Sequence, residues 1–180
     1  MEWSFADWGP KEGKWANIAP NTPLYKDGKI FFCHGYNING VMLQLSDDLK
    51  SVSVVWRTDV LDTHHGGYVE VNGTIYGSNW INNNQGNWCA IDWNTGAKGY
   101  ETTWTGGKGK GSIIAADGML YCYDERRGAV ALVNPDPAKF DIVSEFRITK
   151  GVGPHWAHPV IVNGVLYIRH GFALMAYKVK

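Results

Sequence analysis

Four of the six histidines fall in two short runs, His64-His65-Gly66-Gly67 and His155-Trp156-Ala157-His158. A His-x-x-His beside a His-His pair could offer neutral imidazoles to zinc or copper. Only Asp62 adds an acid beside them, and loops impose no fixed ligand spacing, so no metal is assigned. Two readings without metal remain: the rings and Trp156 face a ligand pocket, or they hydrogen-bond neighbouring loops and cap the core. A second stretch, Gly106-Gly107-Lys108-Gly109-Lys110-Gly111, lacks the Lys-Ser/Thr ending of a phosphate-binding loop and precedes a strand rather than a helix. Lys108 and Lys110 could draw a carboxylate or an acidic sugar; the plainer expectation is solvated charge on a flexible loop. A third, Asp124-Glu125-Arg126-Arg127-Gly128, reads as an exposed hairpin loop whose internal ion pairs contribute little.

What positions these residues is a repeat. Asp27-Gly28, Asn72-Gly73, Asp117-Gly118 and Asn163-Gly164 recur 45, 45 and 46 residues apart, each between short apolar runs. Asp-Gly and Asn-Gly favour the positive φ angles of two-residue hairpin turns. A third strand follows at Met42-Leu43-Gln44-Leu45, Trp88-Cys89-Ala90-Ile91, Val130-Ala131-Leu132-Val133 and Leu174-Met175-Ala176-Tyr177. A fourth is expected to end in an aromatic, at Trp56, Trp104 and Phe146. Four strands per unit of about 45 residues, with no helical periodicity, predicts an all-β fold: a β-propeller of four-stranded blades. The blades are expected at 20–57, 64–104, 110–148 and, incomplete, 156–180. Residues 1–8, through Glu2-Trp3-Ser4-Phe5, read as the outer strand of a preceding blade. These loose ends suit a ring closed by its termini, two chains in one eight-bladed ring, or part of a longer eight-bladed chain.

In a propeller the loops entering the innermost strands gather at one mouth of the channel, where a rigid scaffold positions ligand-binding residues. The entry loops are 17–22, 62–67, 106–111 and 153–158. The bends joining second and third strands carry Tyr36, Trp80, Arg126, Arg169 and His170. The candidate mouth residues are therefore His64, His65, Trp80, Lys108, Lys110, Arg126, His155, Trp156, His158, Arg169 and His170. Aromatic rings with hydrogen-bonding neighbours suit a sugar or another small molecule.

Ala90-Ile91-Asp92-Trp93-Asn94-Thr95-Gly96-Ala97-Lys98-Gly99-Tyr100 resembles the A-x-D-x-x-T-G-x-x-x-W motif of pyrroloquinoline-quinone-type (PQQ-like) propeller repeats, with Tyr100 in place of the docking Trp. Asn134-Pro135-Asp136-Pro137 replaces the Thr-Gly turn in the next unit. The resemblance implies half of an eight-bladed ring, in an exported, periplasmic or extracellular parent. The family includes quinoprotein alcohol and sugar dehydrogenases, which use PQQ with calcium, and non-catalytic members. The adjacent cysteines and acidic cluster of the catalytic members are not found in this sequence. The function expected is a ligand-binding or scaffold module for a small molecule, a carbohydrate or a protein segment; the alternative is a quinoprotein dehydrogenase domain. A homodimer or a missing N-terminal half would complete the ring.

Composition narrows the classes further. Lys plus Arg and Asp plus Glu both number 17, and no basic run stands out, which argues against nucleic acid. No apolar run approaches the roughly 18 residues of a membrane helix. Cys33, Cys89 and Cys122 are odd in number and form no Cys-x-x-Cys, so they read as small buried hydrophobes rather than a disulfide framework or zinc site. Met1-Glu2-Trp3-Ser4 lacks the basic start and apolar stretch of a signal peptide, which carries little meaning for a chain cut from a longer one, as this one is expected to be.

Overall fold

The computed structural model describes residues 3–6 and 18–179. The described residues form strands, turns and loops, without helix. Strands β1 (Leu24–Lys26), β2 (Lys29–Cys33), β3 (Gly40–Leu45) and β4 (Val52–Thr58) make the first antiparallel sheet, in chain order. The second holds β5 (Tyr68–Val71), β6 (Thr74–Ser78), β7 (Trp88–Asp92) and β8 (Lys98–Thr102). The third holds β9 (Gly111–Ala116), β10 (Met119–Asp124), β11 (Ala129–Asn134) and β12 (Asp141–Arg147). The fourth has three strands, β13 (Val160–Val162), β14 (Val165–His170) and β15 (Ala173–Lys178). This is the four-bladed β-propeller pattern expected from the repeat, with an incomplete fourth blade.

The inner hairpins repeat to within a few degrees. Asp27, Asn72, Asp117 and Asn163 sit at φ 51, 52, 51 and 50°, each followed by a positive-φ glycine. That pair of left-handed residues is a type I′ turn, whose twist matches the flanking strands. The third-to-fourth strand pairing slips at one equivalent place in each complete blade, after Met42, Ala90 and Leu132. A β-bulge there bends the outer strand. It also corrects the sequence alignment: the residues opposite Met42, Ala90 and Leu132 are Trp56, Tyr100 and Ser144, while Trp104 lies beyond the end of β8.

Blades pack face to face through aromatic and aliphatic layers. Phe31, Met42, Leu61, Ile75, Ile91 and Trp93 fill the space between the first two blades. Tyr76, Trp88, Trp104, Leu120 and Val133 fill the next, and Tyr123, Val130, Leu166 and Ile168 the third. The Asp92-to-Gly96 turn shows what its motif does. Asp92 Oδ1 accepts hydrogen bonds from Asn94 N, Thr95 N and Thr95 Oγ1 at 2.8–2.9 Å. A Cβ on Gly96 would lie 2.6 Å from the Trp56 ring, so the turn needs glycine there to receive that indole from the preceding blade. Of the segment expected as the outer strand of an earlier blade, residues 3–6 are described; they carry no strand, and Phe5 meets Phe32 edge-on at 6.5 Å. Residues 1, 2, 7 and 8 of that segment lie outside the described residues, as does Asn17 of the first entry loop.

Candidate functional site

The loops entering β5, β9 and β13 meet the bends joining second and third strands at one end of the blades. Backbone bonds tie them: Glu125 N donates to Lys110 O, His155 N to Glu125 O, and Trp80 N to Asp62 O. Asp62 is buried, and its two oxygens accept Gly35 N and Asn37 N, both at 2.6 Å. Burial pushes its carboxyl up, against those backbone donors. Asn21 clamps the His64 loop from the first blade, donating to Thr63 O at 2.8 Å and His64 O at 2.9 Å.

At the centre of this face Glu125 joins Lys110 and His65. Its Oε1 accepts Lys110 Nζ at 2.5 Å and its Oε2 lies 3.0 Å from His65 Nε2. Burial alone would raise the Glu125 carboxyl; the bonds from His65 and Lys110 outweigh it and hold it below its ordinary range. Lys110 also donates to Asn82 O and Asn83 O, so all three ammonium protons are used. This overturns two expectations. Lys110 is 3% exposed rather than solvated, and Asp124 and Glu125 are buried rather than part of an exposed loop. Asp124 Oδ2 caps the β10–β11 bend by accepting Arg126 N and Arg127 N.

Around Glu125 runs an arc of rings. Trp80 lies 4.9 Å from Tyr36, Tyr36 4.6 Å from His64, His64 4.8 Å from His65, and His65 5.3 Å from Trp156. The Tyr36 hydroxyl is 2.7 Å from His64 Nε2. Burial, then the neighbouring charges of His65 and Lys110, lowers the His64 pKa to about 4. Trp156, at the end of the arc, is 56% exposed. Next to His65 a recess of about 360 Å³ opens along the inner strands, lined by Asn21, Leu24, His65, Tyr68, Ile113 and His158. His158 Nε2 lies 2.8 Å from His65 O, across its rim.

The remaining candidates separate from this groove. His155 is buried, its Nδ1 2.5 Å from the Tyr123 hydroxyl and its ring stacked on His170 at 3.7 Å. Burial, then His170, lowers its pKa to about 4. The His170 nitrogens face Lys150 O and Gly153 O, both at 2.7 Å. These two rings fasten loops rather than face a ligand. Lys108 and Arg126 are exposed beside Asn84 and Gln85, and Arg169 is exposed on β14. Glu125, Tyr36 and Asn21 were not among the candidates. Register was the available signal for Glu125: counted outward from Asp117-Gly118, Gly111 faces Asp124, which sets Lys110 beside Glu125.

The donor set does not fit calcium with a quinone. Calcium takes about six to eight oxygens. The buried carboxylates of this face are Asp62, Asp124 and Glu125; Asp62 is committed to backbone donors through both oxygens, Asp124 through one, and Glu125 to Lys110 through Oε1 while its Oε2 lies 3.0 Å from His65 Nε2. Among the described residues no three His, Cys, Asp or Glu side chains converge on a metal position. The three cysteines are buried, and burial pushes the Cys33, Cys89 and Cys122 thiols up.

No protein-family model and no curated protein sequence matches the chain. Solved structures do. BamB from Moraxella catarrhalis superimposes with a TM-score of 0.63 at 14% identity, over 89% of this chain and 46% of that one. Quinohemoprotein alcohol dehydrogenase ADHIIG from Pseudomonas putida HK5 gives 0.57 at 16% identity, over 83% of this chain and 28% of that one. Glutaminyl cyclase from Myxococcus xanthus gives 0.51 at 18% identity, over 89% of this chain and 66% of that one. The chain thus spans about half the length of the first and under a third of the second. The PQQ-like resemblance read from the repeat is supported at the level of the fold, a β-propeller built here as four consecutive blades.

Proposed function

We propose that this chain is a ligand-binding propeller module, and that its ligand is a small polar molecule, a carbohydrate foremost, held in the groove that adjoins the aromatic arc at His65. The observation that carries this reading is the placement of His65, which packs 5.3 Å from the exposed Trp156 indole and also edges, with His158 and Asn21, a concave recess of about 360 Å³. Sugars stack on aromatic faces and satisfy their hydroxyls on nearby polar groups. The groove supplies both, and Glu125 fixes the His65 ring that joins them. A second four-bladed unit completes the ring, and the assembled protein works in the periplasm or outside the cell.

Calorimetric titration with a panel of neutral oligosaccharides tests this. At least one binds, and Trp156→Ala and His158→Ala each weaken it about tenfold, or about 1.4 kcal/mol. If no member of the panel binds, or both variants bind as the parent does, the assignment fails.

A further inference from the structure

A separate recess lies on the same face, away from the groove. It holds about 390 Å³ between Asn84 and Gln85 of the β6–β7 bend, Lys108 of the β9 entry loop, and Arg126 and Arg127 of the β10–β11 bend. The whole chain has no net charge, yet three cations line this one recess. No salt bridge ties them to an acid among the described residues, although the Arg127 charge acts on buried Asp124. Arg126 Nη1 donates to Asn84 O at 3.1 Å, and neither Lys108 nor Arg127 has a side-chain hydrogen bond or ion pair among the described residues. The nearby acids are engaged elsewhere. Glu125 holds Lys110 and His65, Glu101 holds Asn79 and Asn87, and Glu145 accepts Trp104 Nε1. Asp124 is fully buried beneath the bend, where its Oδ2 accepts two backbone N–H groups and burial pushes its carboxyl up.

The walls are fixed in advance. Buried Lys110 fastens the 82–83 backbone, Asn84 N donates to Asn82 Oδ1, and the Asp124 cap holds the bend that carries both arginines. Bends whose backbone is already held lose less freedom on binding than loose ones. Gln85 and Lys108 also line an adjoining recess of about 420 Å³, whose other walls include Ile81, Asn87, Thr103 and Thr105. Each recess is the size of a small-molecule pocket, more than a bare anion fills. One end is cationic; the other offers amides, hydroxyls and two apolar side chains, Ile81 and Trp104.

We infer that this double recess binds an anionic saccharide, its carboxylate or sulfate on Lys108, Arg126 and Arg127 and its hydroxylated body along Gln85 toward Asn87 and Thr103. Arginine forks suit both anions through paired N–H donors. The site is distinct from the neutral-sugar groove and stands without it.

The test is titration at about 50 mM salt with tetragalacturonate and with a sulfated heparin tetrasaccharide, against maltotetraose and inorganic phosphate. At least one anionic tetrasaccharide binds about tenfold or more tighter than maltotetraose and than phosphate. Which of the two binds identifies carboxylate or sulfate. Lys108→Ala and Arg126→Ala each weaken it about three- to tenfold, and raising salt to about 300 mM weakens it further. Trp156→Ala leaves it unchanged, which separates this site from the groove. Lys108, Arg126 and Arg127 are exposed, so their variants fold as the parent does, checked by circular dichroism. The inference is overturned if neither anionic sugar binds, if maltotetraose or phosphate binds equally well, or if the K108A/R126A/R127A protein keeps full affinity.

Discussion

Glu125 is the residue on which the loop face depends. Its carboxylate neutralises Lys110 inside the protein, and both side chains are at most 5% exposed. Removing one partner of a buried pair strands the other charge, at a cost of about 3–5 kcal/mol. Glu125→Gln should therefore lower the unfolding free energy by that amount, read as a fall in the urea midpoint, while K110M/E125L, which removes both charges, recovers most of it. Protons act at the same scale. His64 and His155 titrate at about 4 when folded and near 6.5 when unfolded. Between these values the unfolded chain binds more protons, so stability falls as pH falls from 6.5 toward 4. His155→Asn should flatten that part of a melting-temperature profile. Below it, protonation of Glu125, whose folded pKa is depressed, removes a further contribution. The sequence placed Lys110 and Glu125 in solvent because glycine-rich and charged runs are usually exposed. Their pairing depends on hairpin register, which composition does not carry.

At the level of strands and blades, the turn chemistry made most of the fold readable. The four Asp/Asn-Gly pairs require left-handed backbone, and each obtains it. The outer strands were less legible. A bulge shifts their register, so Tyr100 rather than Trp104 aligns with Trp56. Trp104 instead turns in against Trp88, 6.0 Å away, with its indole N–H on Glu145. Blade-to-blade packing supplies the rigidity that the loops need. Leu120 is fully buried between the second and third blades. Leu120→Ala should cost about 2–5 kcal/mol, since the bulged sheets cannot close the cavity. Chemical denaturation of the variant would show it, and a loss below about 1 kcal/mol would mean the interface is loose.

For the molecule as a whole, four blades leave an unfinished flank. Val160, Val162 and Leu174 of the last blade are 49–71% exposed, alternating with Ile161 and Met175 that pack toward the third, and Phe172 in the β14–β15 turn is 83% exposed. In the repeat, the face turned away from one blade receives the next. Such a patch drives association, so the chain should scatter light as species heavier than 20.0 kDa at high concentration, and F172K/L174K should return it to that mass. Whichever unit covers the flank, the loop face keeps its groove and its arc. The most direct test of that face is the set of tryptophan indole N–H signals in a nitrogen-15 spectrum during titration with the best-binding neutral oligosaccharide. The signal lost in Trp156→Phe should move on titration, while those of buried Trp88 and Trp104 stay fixed. A Trp156 signal that stays still while sugar binds, or movement confined to the buried indoles, would contradict the account.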